Sequence, residues 1–301
     1  MHSRWYNIAV VVLWLTTMGW LVSEKVLPAL WVGDAPDSRT ILAAAQTETL
    51  VGWSLTSDGR RTGWALNSTA ASPGGMVEMR SRVHFDQMPI GRSGPRWLRD
   101  LVGQLGSHLQ LELDNGLAFD ALGRLSRFDS TARFPPSEDA AIKVRGSIDG
   151  AQLALAIRSG DFNYETQLPV PRNALMSDAF SPQTHLPGLR EGQSWTVAVY
   201  SPLQPPNPND PKDPREILRA TVEGREPVLW AGQPAMAWVV VYRNDAAAAA
   251  HQAAKPVGKV WVRADGVILK QQVVFFGTTL TFVRLSEVQA MALAHQVRFN
   301  P

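Results

Sequence analysis

Glu112 and Asp114 have the spacing of a chemical pair. In an extended strand they share one face, and two carboxylates so placed can divide acid and base roles if a cleft separates their pKa values. The same alternation describes a solvated face, with Gln110, Glu112 and Asp114 opposite Leu109, Leu111 and Leu113. The second reading is the stronger one. Asp86 is a further candidate carboxylate with no sequence context of its own. No catalytic residue is therefore assigned, and the chain reads more readily as a non-enzyme.

Six histidines are present, His2, His84, His108, His185, His251 and His295, and none falls in an HExxH arrangement or another metal-ligand spacing. Ser194 lacks a Gly-x-Ser-x-Gly context, and there is no Walker or dinucleotide glycine motif. No metal or cofactor is assigned. With no cysteine in the chain, disulfides, thiolate sites and a cysteine nucleophile are excluded. Tryptophan is the more informative class. Trp53, Trp64, Trp195, Trp230 and Trp261 fall in expected strands and are the candidate ligand-binding residues, because each offers a broad apolar face and one donor. Core packing is the competing and preferred account for the group, and Trp238, inside Ala-Trp-Val-Val-Val, reads as buried on both sides.

Most elements that would position these residues are short strands. Leu50 to Leu55 and Thr62 to Leu66 flank the Asp58-Gly59 turn, and Met76 to Phe85 alternates between an apolar and a charged face. Leu109 to Leu113 and Leu117 to Asp120 are expected to meet across an Asn115-Gly116 turn. Leu125 to Phe134, Ile142 to Ile148, Gln152 to Ile157 and Phe162 to Leu168 then continue a meander. The second half offers Ser194 to Tyr200, Ile217 to Val222, Val228 to Trp230, Ala235 to Tyr242, Gly258 to Arg263, Val267 to Phe276 and Thr279 to Leu285. Short helices are expected at Trp97 to Leu105 and after the Ser286-Glu-Val-Gln289 capping box, and Ala246 to Ala250 forms a low-complexity connection. The proline-rich stretch Pro202 to Pro214 reads as a surface loop.

Trp5 to Val22 carries no charge and reads as a transmembrane helix. Retention as a signal anchor is favoured over a cleaved signal peptide, since no small-x-small site follows Val22, and over a buried helix. The organisation expected is residues 1–32 as membrane anchor, 33–46 as linker, 47–170 as an N-terminal antiparallel β region, 171–190 as a connection, and 191–301 as a C-terminal β region with a terminal helix. The fold class is mainly β: a transmembrane helix, then one large curled antiparallel sheet or two tandem half-barrel-like sheets with a few short helices. The location is a single-pass inner or cytoplasmic membrane protein with its bulk on the extracytoplasmic side. With 29 basic and 27 acidic residues and no block of like charge, nucleic acid is not a partner.

Gly188-Leu-Arg-Glu-Gly-Gln-Ser-Trp195, Val222-Glu-Gly-Arg-Glu226, Ala231-Gly232, Ala237-Trp-Val-Val-Val241 and the run from Trp261 to Gln271 together resemble exported proteins of unknown function with a lipoprotein-carrier-like curled sheet. The resemblance spans Leu186 to Leu285. It implies a half-barrel around apolar material, some members carrying lipids or lipoproteins, and it brings no catalytic residue. This chain departs from it in its own anchor and its additional N-terminal β region. The function expected is a non-enzymatic, membrane-anchored envelope protein presenting a β-domain. Its partners would be the bilayer and an envelope protein complex or an apolar ligand. The alternatives are a polysaccharide-binding module or polysaccharide-directed enzyme, and a structural spacer in a membrane assembly.

Overall fold

The computed structural model of the protein describes residues 3–21, 35–87, 110–135, 137–169, 181–200, 215–244, 256–275 and 277–299. The expected helix at Trp97 to Leu105, the Pro202 to Pro214 loop, the Ala246 to Ala250 connection, and His2, His108 and His251 lie outside them.

The first element, α1 (Ser3–Leu21), corrects the membrane assignment. Its 19 residues rise only about 28 Å at 1.5 Å each, and Arg4, Asn7, Thr16 and Thr17 fall within it. The two threonine hydroxyls turn back onto the carbonyls of Val12 and Leu13 at 2.8 and 2.9 Å. Among the described residues no helix is long and apolar enough to cross a membrane. The structure therefore does not support the expected transmembrane helix and signal anchor, the bilayer as partner, the single-pass topology, or a membrane-anchored function.

After the short helix α2 (Ser38–Ala45) come β1 (Leu50–Ser57), β2 (Arg60–Ser72), β3 (Met76–Phe85), β4 (Leu111–Phe119), β5 (Leu125–Phe134), β6 (Ser137–Asp149), β7 (Gln152–Ser159) and β8 (Phe162–Pro169). β9 (Ser194–Tyr200), β10 (Arg215–Trp230), β11 (Gln233–Asn244), β12 (Pro256–Arg263), β13 (Ile268–Phe275), β14 (Thr278–Arg284) and the helix α3 (Glu287–Gln296) follow. All 14 strands form one sheet, ordered β8-β7-β6-β5-β4-β3-β2-β1-β14-β13-β12-β11-β10-β9. Each pair is antiparallel, and β1 beside β14 joins the first half of the chain to the second. The terminal strands β8 and β9 do not pair with each other. An open sheet thus replaces the curled or tandem half-barrel arrangement expected.

Local chemistry accounts for many boundaries. Asp58 and Gly59, with φ of 49° and 78°, form the two-residue turn between β1 and β2. The Ser286 side chain accepts from the Gln289 N–H, and the Gln289 side chain accepts from the Ser286 N–H, which caps the N-terminus of α3 reciprocally. Asn115-Gly116 is not a turn: β4 runs straight through it. Its partners are long-range. Asn67, Ser81, Asn115 and Ser130 lie in register on four adjacent strands, Ser130 donates to Asn115 Oδ1 at 2.6 Å, and a Cβ on Gly116 would meet the Asp129 carboxylate at 2.7 Å.

One face of the sheet, here the inner face, holds the main core, in which Trp53, Leu55, Phe85 and Phe282 are fully buried. Each such side chain contributes about 1.5–3 kcal/mol of hydrophobic stabilisation. The segment 181–187 straps this face. Ser181 Oγ lies 2.7 Å from Ser81 Oγ and accepts from Asn115 at 3.0 Å, while Asn67 donates to the Pro182 carbonyl at 3.3 Å. Further along, His185 bridges to Val267, and Ile268 N–H donates to the Thr184 carbonyl at 3.0 Å. On the opposite, outer face, the second half builds a separate cluster from Val228, Ala237, Val239, Val241, Trp261, Val267 and Leu269.

Where strap and sheet meet, Arg284 is buried and donates to the carbonyls of Thr184 and Ile268 at 3.2 and 3.3 Å and to the Glu48 carboxylate. Its guanidinium lies 5.7 Å from the centre of the Trp53 ring. Burial pushes its pKa down to about 10, which leaves it charged at neutral pH. Replacing Arg284 by Met leaves the Glu48 carboxylate without its cation and takes one donor from each of two buried carbonyls, and should cost about 3 kcal/mol or more. Urea denaturation of Arg284→Met against wild type measures this, and a loss no larger than that of an exposed Arg60→Met would contradict it.

Candidate functional site

The five tryptophans chosen from sequence do not converge. Trp53 and Trp195 are buried on the inner face, whereas Trp64, Trp230 and Trp261 lie on the outer face by register. Each has local company. Trp64 stacks on His84 at 5.5 Å. Trp230 donates to the Arg284 carbonyl at 3.2 Å, and Trp261 donates to Glu226 at 3.1 Å beneath Lys270 at 4.5 Å. Trp238, on the inner face, lies under Arg225 at 3.9 Å. These contacts fix rings in the fold and form no common groove among the described residues.

The carboxylate pair is likewise occupied. Arg82 donates to Asp114 at 2.6 Å and lies 3.7 Å from Glu112. On the other side Arg133 pairs with Asp114 and lies 3.6 Å from Glu112. Two carboxylates between two guanidiniums form a closed charge network on the outer face. Asp86 instead lies 3.3 Å from His84. Among the described residues no group of three or more His, Cys, Asp or Glu side chains could hold a metal ion.

Beyond that network the outer face of β5 to β8 opens into a cavity of about 1120 Å³. Arg127, Arg133, Lys143 and Arg145 line it, against Asp129 and Glu165, and Ala154 and Ala156 supply its floor. Strand alternation produces this wall. Phe128, Val144 and Leu155 are buried, so their neighbours in sequence turn outward. Register then sets Lys143 directly opposite Arg158 on the same face, with Cα atoms about 5.5 Å apart. Arg145 stands opposite Asp129, yet that carboxylate leans over Gly116. Among the described residues no carboxylate lies within 4.0 Å of Arg127, Lys143, Arg145 or Arg158. Like charges directly opposite destabilise a sheet by roughly 0.2–1 kcal/mol. An anion between them would reverse that sign.

The sequence reading missed this site. Its signal was present as cations at alternate positions, Lys143-x-Arg145 on β6 and Arg127 and Arg133 on β5, but only the register brings Arg158 beside them.

No family model and no curated protein matches the chain. Among solved structures it is similar to a β-barrel-like protein of domain of unknown function DUF1849 from Brucella abortus, with TM-score 0.44 and 8% identity over 79% of this chain and 95% of that one. It is also similar to a DUF1089 family protein from Pseudomonas aeruginosa, with TM-score 0.34 and 16% identity over 68% and 87%. The third is the hypothetical lipoprotein YmcC from Escherichia coli, with TM-score 0.28 and 12% identity over 90% and 96%. The chain therefore bears a weak structural resemblance to sheet proteins of unknown function and to a lipoprotein, of the kind noted for its C-terminal third. At these TM-scores the likeness assigns neither family nor function.

His185 is the one described histidine in the strap, only 3% exposed, with Nδ1 3.1 Å from Thr184 Oγ1. Burial holds its pKa below the ordinary 6.5, against the attraction of Asp265 and with the repulsion of Arg263. The unfolded chain therefore takes up the proton more readily, so the His185 contribution to stability is lost as pH falls below about 6.5. Urea midpoints at pH 7.5 and pH 5 should differ more for wild type than for His185→Gln. Equal pH dependence in the two proteins would remove His185 as the cause.

Proposed function

We propose that the protein is a non-enzymatic binding domain that takes an anionic partner across the outer face of β5 to β8. The observation that carries this reading is an open cavity lined by Arg127, Lys143 and Arg145, with Arg158 set opposite Lys143 by register and, among the described residues, no carboxylate within ion-pair distance of these four cations. A fold whose formal charge is only +2 has concentrated unpaired cations in one trough. Elsewhere on the same face several guanidiniums are matched: Arg82 and Arg133 to Asp114 and Glu112, Arg243 to Glu223 at 2.6 Å, and Arg263 to Asp265 at 2.6 Å. Charge complementarity of this kind selects partners and speeds encounter more than it raises affinity. An acid/base role for Glu112 and Asp114 is disfavoured by their pairing on both sides, and a tryptophan-lined sugar groove by the division of the rings between two faces.

The test uses heparin as a soluble linear polyanion and dextran as its uncharged counterpart. Heparin should bind with an affinity that falls as salt rises, and dextran should not bind. Lys143→Glu with Arg145→Glu should weaken heparin binding about tenfold or more. Arg60→Glu with Arg61→Glu changes the net charge equally, at the exposed start of β2, and should leave most of the binding. Equal losses in the two double variants would show that net charge alone, not the trough, is responsible.

A further inference from the structure

β8 ends the sheet, and its backbone polarity can be assigned. The turn Gly160-Asp161 joins it to β7, so Ser159 and Phe162 form the hydrogen-bonded closing pair. By alternation Phe162, Tyr164, Thr166 and Leu168 bond inward to β7, while the backbone N–H and C=O groups of Asn163, Glu165 and Gln167 point outward from the sheet. The register of β7 with β8 runs from Gln152 opposite Pro169 to Ser159 opposite Phe162 without a shift. β8 therefore lacks a bulge; it also carries no lysine, and its one proline is its last residue. Among the described residues a single charge, Glu165, is the edge's one protective device along this length. On the inner face of this edge Phe162 is 59% exposed and Tyr164 48% exposed, stacked 6.5 Å apart with 9° between their planes.

We infer that this edge pairs with the same edge of a second copy of the chain, antiparallel and centred on Tyr164. That register is self-complementary. It sets Asn163 opposite Glu165 of the copy as a hydrogen-bonded pair, using the outward backbone groups of both. Tyr164 then faces Tyr164 of the copy at a non-hydrogen-bonded position, where side chains approach most closely. Phe162 lies opposite Thr166 beside it, so the exposed aromatic rings of both copies meet on one face. The neighbouring register, centred on Glu165, would oppose two glutamates and is disfavoured by their charge. The contact is isologous, so it closes at two copies and does not propagate. Its two-fold axis stands perpendicular to the sheet, which leaves both cationic troughs on the same side.

Sedimentation equilibrium of the full chain should show a concentration-dependent monomer and dimer. Glu165→Pro removes an outward N–H without touching the bonds to β7, and should shift the dimer dissociation constant upward at least tenfold with an unchanged circular dichroism spectrum. The register has its own test, because the chain contains no cysteine. Tyr164→Cys should oxidise to a covalent dimer much faster than Asn163→Cys, whose copies would be offset by two residues. A chain that stays monomeric at high micromolar concentration, or equal cross-linking at the two positions, would overturn the proposal. The cross-linking comparison decides it even if Glu165→Pro fails to fold.

Discussion

Arg284 carries its charge to a position where only 7% of the residue meets solvent, and a cation there must find its partners inside the protein. Those partners come from four separate stretches of chain. Glu48 precedes β1, Thr184 belongs to the strap, Ile268 opens β13, and Trp53 of β1 lies under the guanidinium. They meet at the β1 and β14 junction, which among the described residues is the only direct pairing between the first eight strands and the last six. Desolvating a guanidinium costs several kcal/mol unless its donors are met, so this arrangement is stable only when strap, junction and Glu48 are in place together. The inner-face ladder acts with it. Asn67, Ser81 and Asn115 place hydrogen-bonding groups in an apolar surface, where they hold Ser181 and Pro182 of the same strap.

The two halves of the sheet use their outer faces differently, and this explains the fate of the tryptophans. In the second half, β10 bulges at Glu223, between Val222 and Gly224, and Val228 and Trp230 at its far end join the outer cluster with Trp261 and Leu269. Strands there are covered on both sides. Across β3 to β7 the outer face stays polar: charged side chains cross it in rows, some matched and some not. Pro227 interrupts no hydrogen bond to β9, because β9 pairs with β10 only as far as Thr221.

Local signals were legible where local chemistry decides the structure. The Asp58-Gly59 turn, the Ser286 capping box and the alternation of Met76 to Phe85 depend on residues within a few positions of one another. Asn115-Gly116 shows the limit. The pair has the composition of a hairpin turn, yet Asn115 is fixed by Ser130 and Ser181, 15 and 66 residues away, and Gly116 makes room for Asp129. α1 illustrates a different limit, since an uncharged run does not guarantee sufficient apolarity once Asn7, Thr16 and Thr17 are counted within the helix. The candidate site is less legible still. Lys143 and Arg158 become neighbours only through the β6 and β7 register, and a charge lacks a partner only after every strand around it has been placed.

That the sheet tolerates such a cluster follows from relative magnitudes. Opposed cations cost roughly 0.2–1 kcal/mol per pair at an exposed position. A buried side chain on the reverse of the same strands contributes about 1.5–3 kcal/mol, and Phe128, Val144, Leu153 and Leu155 are all buried there. Alternation couples the two faces: while the apolar residues of β5 to β7 keep the inner register, Arg127, Lys143, Arg145 and Arg158 are held outward. A one-residue slip that separated Lys143 from Arg158 would drive Val144 and Leu155 into solvent. The repulsion is thus too small to change the register that creates it, and the cations stay poised where an incoming anion can relieve it.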